Sequence, residues 1–430
     1  MNLLAEELNT ILDNSVSGRL LSPAGRRLYF PKGIIAQSAE AKKNAGAANA
    51  TIGMAYKGGK PLMLQAVAES IPGLSPEQTV AYAPTAGIEQ IRTIWKKLIL
   101  QKNPSLGADD ISLPALVPGL TSGISIIADL FLPGGETLIS SGPCWDNYSL
   151  IFEERCGGIL RLTPFLGDAG LDMDAIAKAI KSEAEKGYVR IILNFPNNPA
   201  GYSPTRDEAR ALAELLKETA EKGADVLALC DDAYFGLFYE DDLFQESMFS
   251  LLAKLHERIL AVKIDGPIKE AYIWGLRIGF VTFGGKGLAA ADYDALVTKL
   301  MGAIRSSVSC ANTPAQHIVA KALEDPRTPG EIKEYRDLMQ RRYQAVKAFV
   351  KANPGHPVLT PFPFNSGYFM SFRCKGVSAE AIRKELLAKH GIGVISLGDN
   401  CLRAAFSSLE EEQIRGVFKV IYDTAAALKG

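Results

Sequence analysis

The sequence predicts an α/β protein, with a large domain in which helices cover both faces of a mostly parallel sheet, and a smaller α+β unit. Two features predict it. Short apolar runs alternate with longer amphipathic stretches through the middle of the chain, and this alternation stops near Pro314. Strand–helix–strand order favours a parallel sheet, because parallel neighbours need a crossover that a helix supplies. The 430 residues are enough for two domains.

Six apolar runs are the candidate strands of the large sheet. Several are continuously apolar, which is typical of strands buried on both faces. The runs are residues 137–140, 158–163, 189–194, 225–230, 259–264 and 278–283. Between the third and fourth runs, Ser203 or Thr205 can cap a helix that ends at Gly223, and Thr205 with Glu208 fits a capping box. Residues 1–14 predict a short amphipathic helix.

The chain after Pro314 predicts the smaller unit. A long helix is expected around residues 331–352, followed by a hairpin or short antiparallel pair within 354–374. Two more helices are expected around residues 378–390 and 409–428.

Composition argues against several classes of protein. The formal net charge is -1, so no overall field favours nucleic acid or an acidic membrane. The six cysteines include no CxxC pair, which argues against a zinc ribbon or a disulfide scaffold. None of the four histidines stands beside a nucleophile, which disfavours serine-hydrolase and histidine–metal sites. With no basic n-region and no apolar run of about 18 residues, we expect a cytoplasmic protein without a membrane span.

Three segments carry groups suited to an anionic cofactor. Residues 194–201, NFPNNPAG, follow a predicted strand, at the edge where open α/β sheets bind ligands. Asp231 closes the next strand, with Tyr234 three positions on, and a buried carboxylate needs a positive partner. Lys269 lies among apolar and small residues with Arg277 eight positions on. Desolvation and nearby cations lower a lysine's pKa, and arginine clamps phosphate. Alone, each segment has an ordinary explanation as a turn, a solvated strand end or a surface charge.

In this order, NFPNNPAG, LCDDAY and KIDGPIKEAYIWGLRIG resemble the fold-type I pyridoxal-phosphate enzymes, most closely the class I aspartate and aromatic aminotransferases. The resemblance covers nearly the whole chain and implies the type I aminotransferase fold. It implies an N-terminal arm with part of the small domain (1–60), a large cofactor-binding domain (61–315) and a small C-terminal domain (316–430). The implied cofactor is pyridoxal 5'-phosphate, and the implied assembly is a homodimer with shared active sites.

The resemblance also implies a role for each matching residue. Lys269 would form the Schiff base with the cofactor and then remove the substrate's Cα proton. Arg277 would bind the phosphate, and Asp231 would pair with the pyridine nitrogen. Asn198 and Tyr234 would bind the ring hydroxyl.

Upstream segments add further matches to the same family. In VPGLT, the turn at Gly119, Leu120 and Thr121 opens a helix whose backbone amides would bind phosphate. Trp145, in PCWDNY, is similar to the aromatic residue that stacks on the pyridine ring. Tyr82, in AYAPTAG, is similar to a tyrosine that reaches a phosphate across the dimer interface.

Substrate contacts are implied downstream. Arg403, in CLRAAFS, matches the arginine that binds the substrate α-carboxylate bidentately, with Trp145 and Asn198 nearby. Arg305 lies close to the family's distal-carboxylate arginine from the partner subunit, about two residues early relative to TPAQ. Aspartate or glutamate with 2-oxoglutarate is therefore the first choice of substrates, in a ping-pong reaction, and an aromatic amino donor comes next.

Three positions depart from the family pattern. Gly266 stands where aspartate aminotransferases often have a phosphate-binding serine, and Ile268 precedes the lysine where serine or threonine is usual. Other groups must therefore satisfy the phosphate. Asp232 replaces a more frequent glutamate.

The sequence leaves one alternative function open and disfavours two others. A pyridoxal-phosphate lyase or decarboxylase would share Lys269, Asp231 and Arg277, so the pattern leaves that alternative open. A transcription regulator with an aminotransferase-like domain would need an extra N-terminal DNA-binding module, and we expect none, since the resemblance begins by about residue 50. A P-loop is disfavoured because residues 53–61, GMAYKGGKP, lack the GK[ST] ending.

Overall fold

A computed structural model of the protein describes residues 2–12, 27, 34–51, 53–70, 73–132 and 134–429. Its strands are β1 (Ala48–Asn49), β2 (Tyr56–Lys57), β3 (Lys60–Pro61), β4 (Ala115–Val117), β5 (Thr137–Ser141), β6 (Ile159–Thr163), β7 (Tyr188–Asn194), β8 (Asp225–Asp231), β9 (Ile259–Asp265), β10 (Gly279–Gly284), β11 (Leu359–Pro361), β12 (Phe369–Cys374), β13 (Ile392–Gly393), β14 (Ile395–Leu397) and β15 (Cys401–Ala405).

The α-helices are α1 (Leu3–Leu12), α2 (Ile34–Asn44), α3 (Gln65–Ser70), α4 (Pro76–Val80), α5 (Glu89–Lys102), α6 (Leu120–Phe131), α7 (Met173–Ala184), α8 (Arg206–Glu221), α9 (Met248–Leu252), α10 (Pro267–Glu270), α11 (Ala290–Ser307), α12 (Thr313–Glu324), α13 (Thr328–Ala352), α14 (Ala379–His390) and α15 (Glu411–Ala427). Among the described residues, none of these helices is both long and apolar enough to cross a membrane.

The large sheet has the strand order β4-β10-β9-β8-β7-β5-β6. Strands β5 to β9 pair in parallel, whereas β10 is antiparallel to both of its neighbours. All six predicted strands are confirmed, each with its ends within one residue of the prediction. The edge strand β4 was missed, because three residues are too few to show a strand period.

Helices cover both faces of this sheet, as predicted. Buried side chains of α5, α7, α8, α9 and α12 belong to the apolar cluster on one face, and those of α6 and α11 to the cluster on the other. Strand alternation distributes the sheet residues between these two layers. In β8, for example, Val226, Ala228 and Cys230 belong to the first cluster, and Leu227 and Leu229 to the second.

Helix α8 begins with the predicted capping box. Thr205 Oγ1 accepts the Glu208 N–H at 3.3 Å, and Glu208 Oε2 accepts the Thr205 N–H at 2.8 Å. The same carboxylate accepts the Tyr202 hydroxyl at 2.6 Å. Two unpaired amides at the helix start are thus satisfied, and the loop between β7 and α8 is tied to the helix.

The smaller unit is built on the antiparallel sheet β11-β12-β15-β14. The predicted hairpin is confirmed as β11 and β12, and the three predicted helices are confirmed as α13, α14 and α15. The short strand β1 pairs in parallel with β13, and Ala48, Ala50 and Ala55 share an apolar cluster with these C-terminal helices. Helix α12, in contrast, packs with the cluster of the large sheet.

A buried group of charges lies beneath the ends of β8 and β9. Lys263 is 1% exposed and forms ion pairs with Asp232 and, at 3.4 Å, with Asp265. Asp232 Oδ2 also accepts the Ser247 hydroxyl at 2.5 Å, and Asp265 Oδ1 accepts the Trp95 indole N–H at 2.9 Å. Burial raises the pKa of Asp232 to about 6 although Lys263 opposes that shift. One buried cation therefore neutralises two carboxyl groups in part.

We expect Lys263→Met to lower the free energy of unfolding by about 3–5 kcal/mol, because it leaves buried carboxylates without their cation. Urea unfolding at pH 8 measures this loss. Burial already raises the folded-state pKa values of both aspartates, and without Lys263 they would rise further above their unfolded values, so the defect should shrink as the pH falls. Lys347→Met, at an exposed lysine paired with Glu240, is the control and should change stability little. Equal effects of the two substitutions would contradict the prediction.

Candidate active site

The candidate site lies at the carboxyl ends of β7, β8 and β9. Asn194 is paired in register with Asp231 at the last position of their strands. The Asn194 side-chain amide donates to the Asp231 carbonyl at 2.9 Å, which fixes the two strand ends against each other. Loops that leave this edge of a parallel sheet are where open α/β folds bind ligands.

The loop after β7 presents Asn198. Asn194 Oδ1 accepts the Asn198 backbone N–H at 2.8 Å, and Asn197 Oδ1 accepts the Ala200 N–H at 3.1 Å. The side-chain oxygens of Asn194 and Asn197 thus accept hydrogen bonds from backbone N–H groups of the loop itself. Asn198 differs, because its Oδ1 accepts the Arg403 guanidinium at 2.9 Å.

Asp231 is a buried carboxylate with two donors. Its Oδ2 accepts the hydroxyl of Tyr148, and its Oδ1 accepts the Ala233 N–H at 3.2 Å. Burial raises the pKa of Asp231, while the Tyr148 hydrogen bond and the nearby Lys269 act in the opposite direction. The polar contacts therefore favour the ionised form of a group whose burial disfavours it.

Lys269 lies in the short helix α10, directly after β9. Its Nζ is 4.6 Å from the centroid of the Tyr234 ring. Burial lowers the pKa of Lys269 to about 8, with Arg277 lowering it further and Asp231 raising it. A substantial fraction of this amine is therefore neutral, and so nucleophilic, near physiological pH.

The start of α6 forms the anion-binding end of the site. Gly119 precedes the helix with φ of 84°, and a Cβ there would lie 2.4 Å from Arg277 Nη2. The guanidinium thus sits against the free backbone amides of the helix start, an arrangement that binds phosphate. At Gly266 a Cβ would lie 2.8 Å from the Ile278 carbonyl oxygen, so a serine has no room at that departure from the family pattern.

Arg403, in β15, forms the opposite end of the site. It is buried; its Nη1 donates to Asn198 Oδ1 at 2.9 Å and its Nη2 to the Thr51 carbonyl at 3.2 Å. The guanidinium lies 4.2 Å from the centroid of the Phe369 ring. Its Nε has no hydrogen-bond partner among the described residues. A buried guanidinium with an unused donor suits a carboxylate ligand.

A cavity of about 120 Å³ connects these groups. It is lined by Leu120, Thr121, Ile124, Trp145, Asn194, Asn198, Asp231, Ala233, Tyr234, Ile268, Lys269 and Arg277. Eight of the residues singled out from the sequence thus line one cavity, and Gly119 and Arg403 contact its lining residues. Larger grooves of about 640 and 920 Å³ in the described part of the chain contain none of them.

Two of the sequence-selected residues lie away from this cavity. Tyr82 is 92% exposed, and Arg305, exposed near the end of α11, donates to Ser309 Oγ at 2.7 Å. Conversely, Tyr148, whose hydroxyl donates to Asp231, was not predicted as a site residue. Its one signal in the sequence is an aromatic residue three positions after Trp145.

The chain is similar in sequence to proteins of one known family. Residues 53–421 match the family described as aminotransferase class I and II. A probable aspartate/prephenate aminotransferase of Aquifex aeolicus is 24% identical over 356 residues, which are 80% of this chain and 83% of that protein. The aspartate aminotransferase of Escherichia coli K12 is 25% identical over 333 residues, 76% of this chain and 80% of that protein.

Solved structures agree with the sequence matches. An aminotransferase from Anaerococcus prevotii superposes with a TM-score of 0.81 at 23% identity, covering 92% of this chain and 98% of that one. A Pyrococcus horikoshii kynurenine aminotransferase gives a TM-score of 0.80 at 16% identity, covering 97% and 99%. The predicted type I aminotransferase fold is confirmed.

The Lys269 amine should react with a small amine-directed label at a lower pH than an ordinary lysine does. Only the neutral amine reacts, so labelling of the cofactor-free protein should rise through a midpoint near pH 8, the pKa of Lys269. Peptide mass spectrometry across a pH series measures it, with exposed Lys286 as the internal reference. Asp231→Asn removes the negative charge that raises this pKa and should move the midpoint lower. A midpoint near about 10.4, the ordinary lysine value, would contradict the prediction.

Proposed function

The chain belongs to the class I and II aminotransferases, a family of transaminases, and on that premise we propose that it uses pyridoxal 5'-phosphate to move an amino group from an L-amino acid to a 2-oxo acid. The observation that carries the proposal is the pairing of a lysine of lowered pKa with a buried aspartate in one cavity. No observation on the described residues favours lyase or decarboxylase chemistry over transamination.

The groups around the cavity fit pyridoxal phosphate. Gly119 and Arg277 would hold the phosphate, since a side chain at Gly119 would fill the space beside the guanidinium. Asp231 would pair with the pyridine nitrogen, and Lys269 would form the Schiff base through its Nζ. The ring hydroxyl would lie by Asn198. Leu120, Thr121, Trp145 and Tyr234 complete the proposed cofactor contacts.

Each residue would make a separate contribution to the reaction. The bound cofactor supplies an electron sink for the negative charge that develops at the substrate Cα. Lys269, neutral in part near pH 8, would remove the Cα proton as general base. Asp231, as an anion, would hold a proton at the ring nitrogen. Arg403 would orient the substrate through its α-carboxylate, with Trp145 and Asn198 beside it, and we expect ping-pong kinetics.

Aspartate or glutamate, with 2-oxoglutarate as acceptor, is the proposed substrate pair. Support comes from relatives named probable aspartate/prephenate aminotransferase and aspartate aminotransferase. Arg305 is the proposed ligand of the distal carboxylate, acting in the site of a partner subunit because it is exposed and lies outside this subunit's cavity. An aromatic amino donor is the second candidate, since a relative is named an aromatic-amino-acid aminotransferase.

Exposed apolar side chains on two linked segments support a homodimer. Val80, Tyr82 and Val308 are 81%, 92% and 44% exposed. The Thr313 hydroxyl donates to the Ala81 carbonyl at 2.7 Å, which links the segment of Val80 and Tyr82 to the start of α12, five residues after Val308. Large apolar side chains left exposed in this way are typical of interfaces. Tyr82 would then reach the neighbouring phosphate. The cytoplasm is the proposed compartment, because all six cysteines are free.

Replacement of Lys269 tests the proposal directly. Lys269→Ala should lower glutamate formation from L-aspartate and 2-oxoglutarate by more than about 10³-fold, because it removes the general base and the covalent anchor. The visible absorption band of the lysine-bound cofactor should also be lost. Lys286→Ala, at an exposed lysine outside the cavity, is the matched control. A fully active Lys269→Ala enzyme would rule out the proposed function.

Replacement of Arg305 tests the substrate. Arg305→Gln should lower kcat/KM for aspartate about 10- to 100-fold, since a carboxylate loses a charged partner, and leave an aromatic donor unaffected. A panel of amino donors against 2-oxo acids measures both values. Arg210→Gln, on the exposed face of α8, is the control. If both donors keep their wild-type kcat/KM, Arg305 has no role at a distal carboxylate.

A further inference from the structure

We propose that Tyr148 is a positioning residue that keeps Asp231 ionised, so that the ring nitrogen of bound pyridoxal phosphate, and not the carboxyl group, holds the proton between them. This inference rests on the proposed function and adds a residue to it. Tyr148 lies directly before the π-helical segment Ser149–Arg155, in the turn that follows β5.

The contact between the two side chains is direct and shielded from solvent. Tyr148 is 1% exposed and Asp231 is 3% exposed. The phenol donates to Asp231 Oδ2, while Oδ1 accepts only the Ala233 backbone N–H, at 3.2 Å, among the contacts of the described residues. Tyr148 is therefore the one side chain of this part of the structure that hydrogen-bonds the carboxylate. Hydrogen bonds to a buried charge are worth more than those to neutral groups.

Other groups cannot substitute for this hydrogen bond throughout the reaction. Lys269 also favours the Asp231 anion through its charge, but Lys269 is the proposed reacting amine, and its charge changes as it binds and releases partners. Tyr234, Cys144 and Cys230 are further titratable groups near the pair in the described part of the chain, and none of them is a cation. Burial beside Asp231 raises the pKa of Tyr148 well above its usual value, so the phenol remains a donor at every pH of interest.

Tyr148 also contacts the residue proposed to stack on the cofactor ring. Its ring meets Trp145 edge-on, with centroids 5.6 Å apart and an interplanar angle of 78°. It also packs against Phe152, with ring centroids 5.8 Å apart. The phenol ring thus contacts two aromatic rings, which restrict the orientation of its hydroxyl group. One side chain therefore supports two groups that would fix the cofactor ring.

The Asp231 carboxylate and the ring nitrogen of the bound cofactor would compete for one proton. A hydrogen bond to the carboxylate makes Asp231 a weaker base, so the shared proton stays on the ring nitrogen, where it strengthens the electron sink. Without the phenol hydroxyl, the carboxyl group competes for that proton. The cofactor ring would then withdraw electrons less strongly from the substrate Cα.

The test compares Tyr148→Phe with the wild-type holoenzyme, using pyridoxal phosphate labelled with ¹⁵N at the ring nitrogen. The ¹⁵N chemical shift should report a protonated nitrogen in the wild type and move toward the unprotonated value in the variant at the same pH. The rate of the half-reaction with saturating amino donor should fall about 10- to 100-fold, as expected from loss of one hydrogen bond to a buried charge. KM should change little, because Arg403 is untouched.

Tyr239→Phe is the matched control. Tyr239 is also buried, and its hydroxyl donates to the Gly367 carbonyl at 2.8 Å, away from the cavity. The inference requires Tyr239→Phe to keep both the ¹⁵N shift and the half-reaction rate of the wild type. A Tyr148→Phe enzyme that matches the wild type in both readouts overturns it, as does an equal loss of rate in the two variants without a change in the ¹⁵N shift.

The experiment also distinguishes a variant that does not fold from a failure of the proposed function. If Tyr148→Phe does not fold, Tyr148→Met, an unbranched side chain that also lacks a hydrogen-bond donor, takes its place. A lower pH for loss of the ring-nitrogen proton than in the wild type then supports the inference, and an unchanged value overturns it. A wild-type protein that binds no pyridoxal phosphate, or forms no glutamate with any donor, would instead overturn the proposed function, before any variant is compared.

Discussion

The proposed function depends on keeping one carboxylate, Asp231, ionised inside the protein. Removing a charge from water costs several kcal/mol even after a protein relaxes around it. Strand β8 delivers Asp231 at its last residue, and the neighbouring elements supply what offsets that cost. Tyr148 donates to one oxygen, the Ala233 amide to the other, and Lys269 contributes a nearby charge. Burial lowers the pKa of Lys269, and the charge of Asp231 raises it again in part. Each of the two groups therefore affects the ionisation of the other.

Strand alternation separates this pair from a second set of buried charges. Asp231 follows Leu227 and Leu229 on the face covered by α6 and α11, whereas Lys263 and Asp265 follow Ala261 on the other face. Asp232, the very next residue after Asp231, turns to Lys263 and Ser247 instead. Two consecutive aspartates thus have different partners, so neither shares a proton with the other. Aspartate at position 232, in place of the more frequent glutamate, fits the short distance from this position to Lys263.

The strands and helices could be predicted because their signals are local. Continuous apolar runs gave six strands to within one residue, and Thr205 with Glu208 marked a helix start by the chemistry of two unpaired amides. Lys269, Asp231 and Arg277 could be predicted as site residues because several segments matched one family in order, and the structure brings the three to one cavity. Tyr148 was missed because its proposed role depends on a contact between residues 83 positions apart, and its aromatic type three positions after Trp145 does not identify Asp231 as the partner. The order β4-β10-β9 was equally out of reach, since the pairing of a three-residue edge strand is decided by packing.

The departures at Gly266 and Ile268 leave the proposed phosphate site without hydroxyl groups at these two positions. A Cβ at Gly266 would lie 2.8 Å from the Ile278 carbonyl, and one at Gly279 would lie 2.8 Å from the Gly119 carbonyl carbon. Small residues therefore let the end of β9, the start of β10 and the start of α6 approach one another closely. That approach brings backbone amides to the site, beside an Arg277 held at φ of 54°. A left-handed arginine costs on the order of 1–3 kcal/mol, and it persists where the surrounding structure over-determines it. Binding an anion by amides and one guanidinium depends on backbone position more than on side-chain identity. The hydroxyl groups that the family pattern has at these positions can then be absent, and the proposed phosphate site would still hold its ligand.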